Sequence, residues 1–346
     1  MFFYSQFNDI SFIFIFFIAI VLSVFSCILV KKYFYILNIV DVPNDRSSHE
    51  QAVVLSAGVG FLFVLGCLVF FIVPDLIIAN IYIVLSLLFL SLVSFYDDLK
   101  GLSNKFRIFI HFLVGNVFYF SNIKFLSLNL FFLDIVLNDY VSYFCTVFFV
   151  VALINIYNFM DGIDGYAGGV GVISSLFFGV SFLMIQNINL ALICFVLAGA
   201  LLGFLFFNFP SPKASVFMGD VGSAVLGAIF AFFSIKYSMV SYDFSYSIII
   251  PMMVLGVFLC DASVTLCIRF FKKENIFQAH RSHFYQKLNI IGWSHQKIVL
   301  LEYIHLIVCI LLVLGIFYGW EKLCIILFIL SFIFKFTTIQ RSYNRR

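Results

Sequence analysis

Apolar runs long enough to cross a bilayer divide this chain almost from end to end, and no other feature restricts its fold so severely. A transmembrane helix needs about 20 consecutive apolar residues to span a hydrocarbon layer. Such runs occupy 10–30, 52–73, 77–95, 106–121, 140–157, 167–185, 189–207, 222–238, 247–268, 298–318 and 322–337. A further segment, 123–138, is short and contains Asp134, and it is read as a hairpin outside the membrane. The composition agrees. Soluble domains are about 45–50% apolar and about 25% charged, whereas this chain is 64% hydrophobic and 11% charged, with a mean hydropathy of +1.13. No soluble core of 346 residues could enclose that much apolar side chain. The expected fold class is an all-α polytopic membrane protein of about 11 spans, forming one domain over 1–346.

Charge placement sets the expected orientation. With the N-terminus outside and the C-terminus cytoplasmic, all of the 20 Lys and Arg residues fall inside except Lys124, Lys236 and Lys322. That bias follows the positive-inside rule. Lys31 and Lys32 directly after the first run mark a retained helix rather than a cleaved leader. Five inside segments, 38–51, 96–107, 155–166, 208–223 and 269–297, collect nearly all the unusual polar residues. The chemistry is therefore expected at the cytoplasmic face. The eight Cys residues lie mostly within apolar runs and read as small hydrophobes.

Three of those segments are acidic. Asp97 and Asp98 are adjacent at a helix end, where two carboxylates repel unless a cation is near. In 155–166, Asn155 and Asn158 share a helix face, Asp161 and Asp164 continue the spacing, and Gly162 and Gly165 permit tight turns. In 208–223, Pro210 and Pro212 end one helix after Asn208, and Gly219-Asp220-Val221-Gly222-Ser223 opens the next. A helix N-terminus attracts anions such as a diphosphate, and Asp220 beside it could hold the metal that such an anion requires. Mg2+ prefers oxygen ligands and is usually bound by one or two carboxylates together with substrate phosphates. Two segments are basic. Arg46, Ser47, Ser48 and His49 follow the first run, and Arg46 suits bidentate phosphate binding. His280, Arg281 and His283 lie in the last loop, where the Arg favours anion recognition over a metal site.

Taken together, Pro43-Asn44-Asp45-Arg46-Ser47-Ser48-His49, Asp97-Asp98, Asn158-Phe159-Met160-Asp161-Gly162-Ile163-Asp164-Gly165 and Phe217-Met218-Gly219-Asp220-Val221-Gly222-Ser223 resemble the polyprenyl-phosphate N-acetylhexosamine-1-phosphate transferases. That family includes the translocase of peptidoglycan synthesis and enzymes that start O-antigen and teichoic acid linkage synthesis. The resemblance runs from about Pro43 to Gln286. It implies that Asp220, with Asp97, holds Mg2+, with Mn2+ as a substitute. It implies that Asp97 and Asp98 position or deprotonate the lipid phosphate, and that Asn158, Asp161 and Asp164 contact the nucleotide-sugar. His280, Arg281 and His283 resemble the His-Arg-x-His-x-Tyr-Gln loop of the O-antigen branch, whose sugars include 6-deoxy-N-acetylhexosamines, and His283 is expected to be catalytic. Arg46, Ser47, Ser48, Lys105, Asn155, Asn208 and Lys213 complete the expected substrate contacts. One departure stands out. Where the family has Pro-Thr-Pro-Arg-Gly-Gly-Gly after the His, this chain has Val53-Val54-Leu55-Ser56-Ala57-Gly58-Val59-Gly60.

The implied reaction transfers an N-acetylhexosamine-1-phosphate, with GlcNAc, FucNAc or QuiNAc as the sugar, from a UDP-sugar to undecaprenyl phosphate and releases UMP. The setting is a bacterial cytoplasmic membrane, with surrounding lipids as partners, room for a homodimer and no nucleic acid. Two rivals come from other classes. A transporter or flippase places ionisable groups near the midplane, whereas these runs look nearly charge-free. A CDP-alcohol phosphatidyltransferase needs Asp-Gly-x-x-Ala-Arg, but Asp164-Gly165-Tyr166-Ala167 continues to Gly168.

Overall fold

The structure is a computed structural model describing residues 9–41, 52–130, 133–209, 213–240, 248–275, 278 and 280–345. In lipid every backbone N–H and C=O must be satisfied within its own segment, which makes each long apolar run a helix. The helices are α1 (Asp9–Ile36), α2 (Gly58–Ile72), α3 (Pro74–Ala79), α4 (Ile81–Lys100), α5 (Asn104–Phe120), α6 (Asp139–Met160) and α7 (Tyr166–Met184). They continue with α8 (Ile188–Asn208), α9 (Gly219–Val240), α10 (Ile249–Val254), α11 (Gly256–Phe271), α12 (Phe284–Ile290), α13 (His295–Phe317) and α14 (Glu321–Asn344). Among the described residues, eight helices are long and apolar enough to cross a membrane: α1, α4, α6, α7, α8, α9, α13 and α14.

Every one of the expected runs carries helix, but not always one helix. The run at 247–268 breaks at Leu255 into α10 and α11, neither long enough to span alone. At the break the Leu255 amide donates to the Pro251 carbonyl at 3.0 Å, and the Leu255 carbonyl accepts the Phe258 and Leu259 amides at 3.1 and 3.0 Å. The 123–138 segment forms an antiparallel hairpin, β3 (Ser127–Leu130) with β4 (Leu133–Val136).

The helix α9 is the centre of the bundle. Four-fifths of its most apolar window is buried, 83%, against 17% for α1 and 28% for α14. It packs on α4, α6 and α2, while α8 packs on α1 and α7. The outer helices turn large side chains outward, such as Phe71 and Phe334, as lipid contact requires. Close approach of α8 to α1 uses Gly203, whose added Cβ would lie 2.6 Å from the Ile20 carbonyl oxygen.

At one end of the bundle the connecting segments knit together. The strand β1 (Val40–Asp41) pairs with β2 (Val53–Val54). Val54 then bridges to Val216. The Phe217 amide donates to the Val54 carbonyl at 2.8 Å, and the Ala57 amide to the Phe217 carbonyl at 2.9 Å. This stitching fixes the chain entering α2 against the chain entering α9.

The spans are not as charge-free as the sequence reading expects. Lys335 of α14 bonds Glu302 of α13 at 2.6 Å, and both are buried. Lys335 also lies 3.4 Å from His305 Nδ1. Asp261 of α11 is fully buried. Removing one partner of a buried ion pair leaves an uncompensated charge, at a cost of about 3–5 kcal/mol. Lys335→Met is therefore expected to lower the thermal midpoint in detergent sharply. The double variant Glu302→Gln/Lys335→Met should recover most of the loss, and a Lys335→Met protein as heat-stable as the wild type would show that the pair contributes nothing.

Candidate active site

The first amides of α9 find their acceptor on another helix. Gly219 has φ +74°, a left-handed conformation suited to glycine. Asp98, at the end of α4, supplies that acceptor. Its Oδ1 accepts the Asp220 amide at 2.8 Å, and its Oδ2 accepts the Val221 amide at 3.3 Å. The Ser56 hydroxyl donates to the same Oδ2 at 2.7 Å. One carboxylate thus ties α4, the segment before α2 and the N-terminus of α9 together, where the helix dipole also favours negative charge. An alanine at 219 would place its Cβ 2.6 Å from Asp98 Oδ2 and 2.8 Å from Ser56 Cα, and would force a positive φ on a branched carbon. Gly219→Ala is expected to cost at least about 1 kcal/mol of stability and to reduce activity with it. A thermal shift and a turnover assay on the same preparation check this, and a neutral result would refute the strap.

A second network runs beside it. Asp97 Oδ1 accepts the Leu102 amide at 2.6 Å, which closes the turn between α4 and α5. Its Oδ2 meets Arg107 Nε of α5 at 3.0 Å. Arg107 Nη2 reaches Asp220 Oδ2 at 2.9 Å and Asn158 Oδ1 at 2.9 Å. Asn158, near the end of α6, donates in turn to Asp220 Oδ1 at 2.8 Å and to Ser223 Oγ at 3.0 Å. Both Asp220 oxygens are therefore held in place, each by a donor from a different helix.

The segment after α6 adds two more carboxylates. Asp161 is half-buried. Burial, and then the charges of Asp220, Asp98 and Asp164, hold its carboxyl well above the usual carboxylate range. Asp164 Oδ2 accepts the Ala214 amide at 3.2 Å and lies 3.4 Å from His295 Nδ1. The buried Asn208 clamps this segment to the next, accepting from the Gly165 amide and donating to the Val216 carbonyl, each at 2.9 Å. Tyr303 of α13 donates to the Gly165 carbonyl at 2.5 Å.

The last loop is organised by Asp261. Its carboxylate accepts the Phe284 amide at 3.0 Å and the Tyr285 amide at 3.2 Å, and lies 3.1 Å from His283 Nδ1. Asp261 caps α12 from another helix, as Asp98 caps α9. The Tyr285 hydroxyl then donates to the Phe159 carbonyl at 3.0 Å, which joins α12 to the end of α6. His280 is pulled down to about 4 by burial and by the nearby His283 and Arg269, so it is neutral near pH 7.

These pieces enclose a cavity of about 440 Å3. Asp98, Asp161, Asp164 and Asp220 line it, together with Asn158, Asn208 and Ser223. Asp41 and Leu55 enter from the first connecting segment, and Arg281 and Gln286 from the last. All five polar segments of the sequence thus contribute to one space. Its acidic lining calls for a cation. Asp161 and Asp220 offer carboxylate oxygens to it, and among the described residues no group of three His, Cys, Asp or Glu residues forms a protein-only metal cage. That donor set fits an ion that completes its shell with substrate phosphates and water, as Mg2+ does.

Not every expected residue faces this space. Asp97 stands one step away, joined to Asp220 through Arg107. Asn155 is spent elsewhere, donating to the Val151 carbonyl at 2.7 Å and pairing with His111 Nδ1 at 3.0 Å. It lies one turn deeper in α6 than Asn158 and meets α5 instead of the cavity. Lys105 is exposed on α5. Lys213, His280 and His283 are not among the residues lining the cavity. The expected catalytic role of His283 meets a physical obstacle, because its ring is buried against Asp261. Arg46, Ser47, Ser48 and His49 lie outside the described residues.

Three residues of the site escape the motif reading: Arg107, Ser56 and Asp261. Two left a signal. An Arg in the first turn of a helix opposes the dipole and needs an acid nearby, and a lone Asp within an apolar run is costly without a purpose.

The fold and the site define a polytopic helical protein with an acidic cavity of about 440 Å3 at one end of its bundle. Comparison with known proteins makes the assignment specific. The sequence pattern of glycosyl transferase family 4 matches residues 80–238. The probable undecaprenyl-phosphate N-acetylglucosaminyl 1-phosphate transferase of Bacillus subtilis (strain 168) is 28% identical over 286 residues, covering 80% of this chain and 76% of that protein. The undecaprenyl-phosphate alpha-N-acetylglucosaminyl 1-phosphate transferase of Escherichia coli (strain K12) is 27% identical over 320 residues, covering 88% and 85%. The phospho-N-acetylmuramoyl-pentapeptide-transferase of Clostridium perfringens (strain 13 / Type A) is 36% identical over 220 residues, covering 60% and 66%. The chain belongs to glycosyl transferase family 4, and it is a membrane transferase.

Proposed function

We propose that this protein transfers an N-acetylhexosamine-1-phosphate from a UDP-sugar to undecaprenyl phosphate, releasing UMP, at the cytoplasmic face of a bacterial inner membrane. The observation that carries this reading is the convergence of Asp98, Asp161, Asp164 and Asp220 on one cavity that Arg281 also lines. The names of the relatives support undecaprenyl phosphate as the acceptor. The excess of Lys and Arg on one side of the spans supports a cytoplasmic opening.

In this reading an acceptor phosphate oxygen attacks the β-phosphorus of the UDP-sugar. The new P–O bond forms there as the bond to the bridging oxygen breaks, and that oxygen leaves with UMP. Mg2+, when bound at Asp220 and Asp161, offsets the negative charge of the diphosphate. The protein's own groups position and balance the rest. Asn158 and Arg107 fix the two oxygens of Asp220. Arg281 supplies positive charge at the mouth of the cavity, where the two phosphate-bearing substrates would otherwise repel one another. The first turn of α9 lines the same space through Gly219, Asp220 and Ser223, and Asp98 already satisfies its first amides.

N-acetylglucosamine is the first sugar to test, because the relatives from Bacillus subtilis and Escherichia coli carry that sugar in their names. The loop from His280 to Gln286 motivates 6-deoxy sugars as the second choice, which would place the enzyme at the start of O-antigen synthesis. A panel of UDP-sugars with purified protein, undecaprenyl phosphate and Mg2+ decides between them. UMP release that needs both the acceptor and the metal is the expected result. Movement of lipid or sugar across a bilayer without UMP release would favour a transporter.

A further inference from the structure

A second cavity, of about 630 Å3, opens on the other side of the last loop, between the ends of α11, α12 and α14. Its charge is opposite to that of the acidic cavity. Arg269, Lys272, Arg281, Lys287 and Arg341 line it, and Glu274 is the one acid among its described lining residues. Glu274 is already engaged by Arg269 Nη1 at 3.2 Å.

Two of the cations are built into the wall. Arg269 is 7% exposed, with Nη2 bonded to the Asn275 carbonyl at 2.7 Å, yet its Nε is buried with no partner among the described residues. An unsatisfied buried guanidinium nitrogen is costly and points to a missing acceptor. Lys287 is 8% exposed and bonds Gln340 Oε1 at 2.8 Å. Burial lowers its affinity for a proton, the Asp261 charge opposes that, and Lys272 nearby lowers it further. The side chains of Lys272, Arg281 and Arg341 make no hydrogen bond or ion pair with other described residues. Five cations set against one lining acid, itself already paired, call for an anion with several oxygens.

The apolar part of the wall is Val264, Ile268, Phe284 and Phe336, with Thr265, Ser282, Thr337 and Gln340 between them and the cations. The adjoining Phe270 and Phe271 are 67% and 81% exposed at the end of α11, and they face outward beside the opening. A phosphate attached to acyl chains matches both halves of this lining, whereas a free phosphate matches only the basic half. We infer that this cavity binds the headgroup of an anionic membrane phospholipid. The headgroup phosphate lies among Arg269, Lys272, Lys287 and Arg341, and its chains leave across the Phe-rich flank. Arg281 lines both cavities, so an occupied lipid site sits against the acidic one.

The test reconstitutes the full chain in nanodiscs of phosphatidylcholine containing a minor fraction of phosphatidylglycerol, then measures retained lipid by native mass spectrometry. The wild type is expected to retain phosphatidylglycerol preferentially. The double variant Lys272→Gln/Arg341→Gln, changed only at exposed positions, is expected to lose roughly ten-fold or more of that preference, with an unchanged thermal midpoint and unchanged UMP release in pure phosphatidylcholine. Equal retention by the two proteins would overturn the proposal. So would displacement of the lipid by millimolar inorganic phosphate, which would make the pocket a free-anion site. Displacement by equimolar undecaprenyl phosphate would overturn it too, because the pocket would then belong to the acceptor.

Discussion

Asp220→Asn is expected to lower UMP release by about 10²–10³-fold while leaving the protein folded and membrane-inserted. The substitution keeps shape and hydrogen-bonding volume but removes one negative charge. Asn158 still finds an oxygen at that position, and Arg107 keeps its contact with Asp97 at 3.0 Å. What disappears is the anionic oxygen between the N-terminus of α9 and the acidic loop, where a cation bridging the diphosphate would be held. A loss of turnover far larger than any change in the thermal midpoint is the result to look for. Turnover within a few-fold of the wild type would remove Asp220 from the metal site and would also undermine the assignment of Asp161 as its neighbour.

The second large effect is expected at Arg107, which the motifs do not single out. Its guanidinium spans two carboxylates, Asp97 and Asp220, and also the Asn158 side-chain oxygen. Arg107→Met leaves both acids without their counter-charge. Breaking a fully buried pair costs about 3–5 kcal/mol. Arg107 and Asp220 are 25% and 29% exposed, so solvent screens part of this and about 2 kcal/mol is the reasonable expectation. Activity should fall further than stability, because Asp220 loses the donor that orients its Oδ2. Arg107→Lys keeps the charge but lacks the planar fork, and should rescue stability more than turnover. If Lys and Met variants behave alike in both assays, the bridging geometry does no positioning.

The contrast between Asp220 and Arg107 marks what the sequence could reveal. The spans were legible because a bilayer enforces a length and an apolarity that appear as plain runs, and every run is helical in the structure. The acidic residues were legible because Asp161, Asp164 and Asp220 sit in glycine-rich segments that interrupt those runs. Their partners were not. Asp98 caps a helix that begins 121 residues later in the chain, at Gly219, and Asp261 caps α12 across more than 20 residues. A cap supplied from another helix leaves no local pattern, since the usual signature requires the capping side chain next to the first turn. Ser56 illustrates the same limit. It stands in the stretch that departs from the family pattern, and its hydroxyl holds Asp98 at 2.7 Å in a left-handed turn with φ 60°. From sequence alone this stretch reads only as a loss. Asn155 errs in the opposite direction: its spacing from Asn158 matches the cavity-facing side of a helix, but one turn of depth is enough to hand it to His111.

Charge inside the bundle follows the same logic. Glu302 and Lys335 lie 33 residues apart on different helices, and each looks like an isolated polar residue in an apolar run. Only their contact explains how lipid tolerates them.

The most direct measurement follows a radiolabel on the β-phosphorus of the UDP-sugar through one turnover in reconstituted membranes. If the acidic cavity carries out phosphosugar transfer, the label moves into the lipid fraction, UMP appears in equal amount, and both are lost in the Asp220→Asn protein. Label that stays in water as UDP, or lipid labelling that persists in that variant, would contradict it.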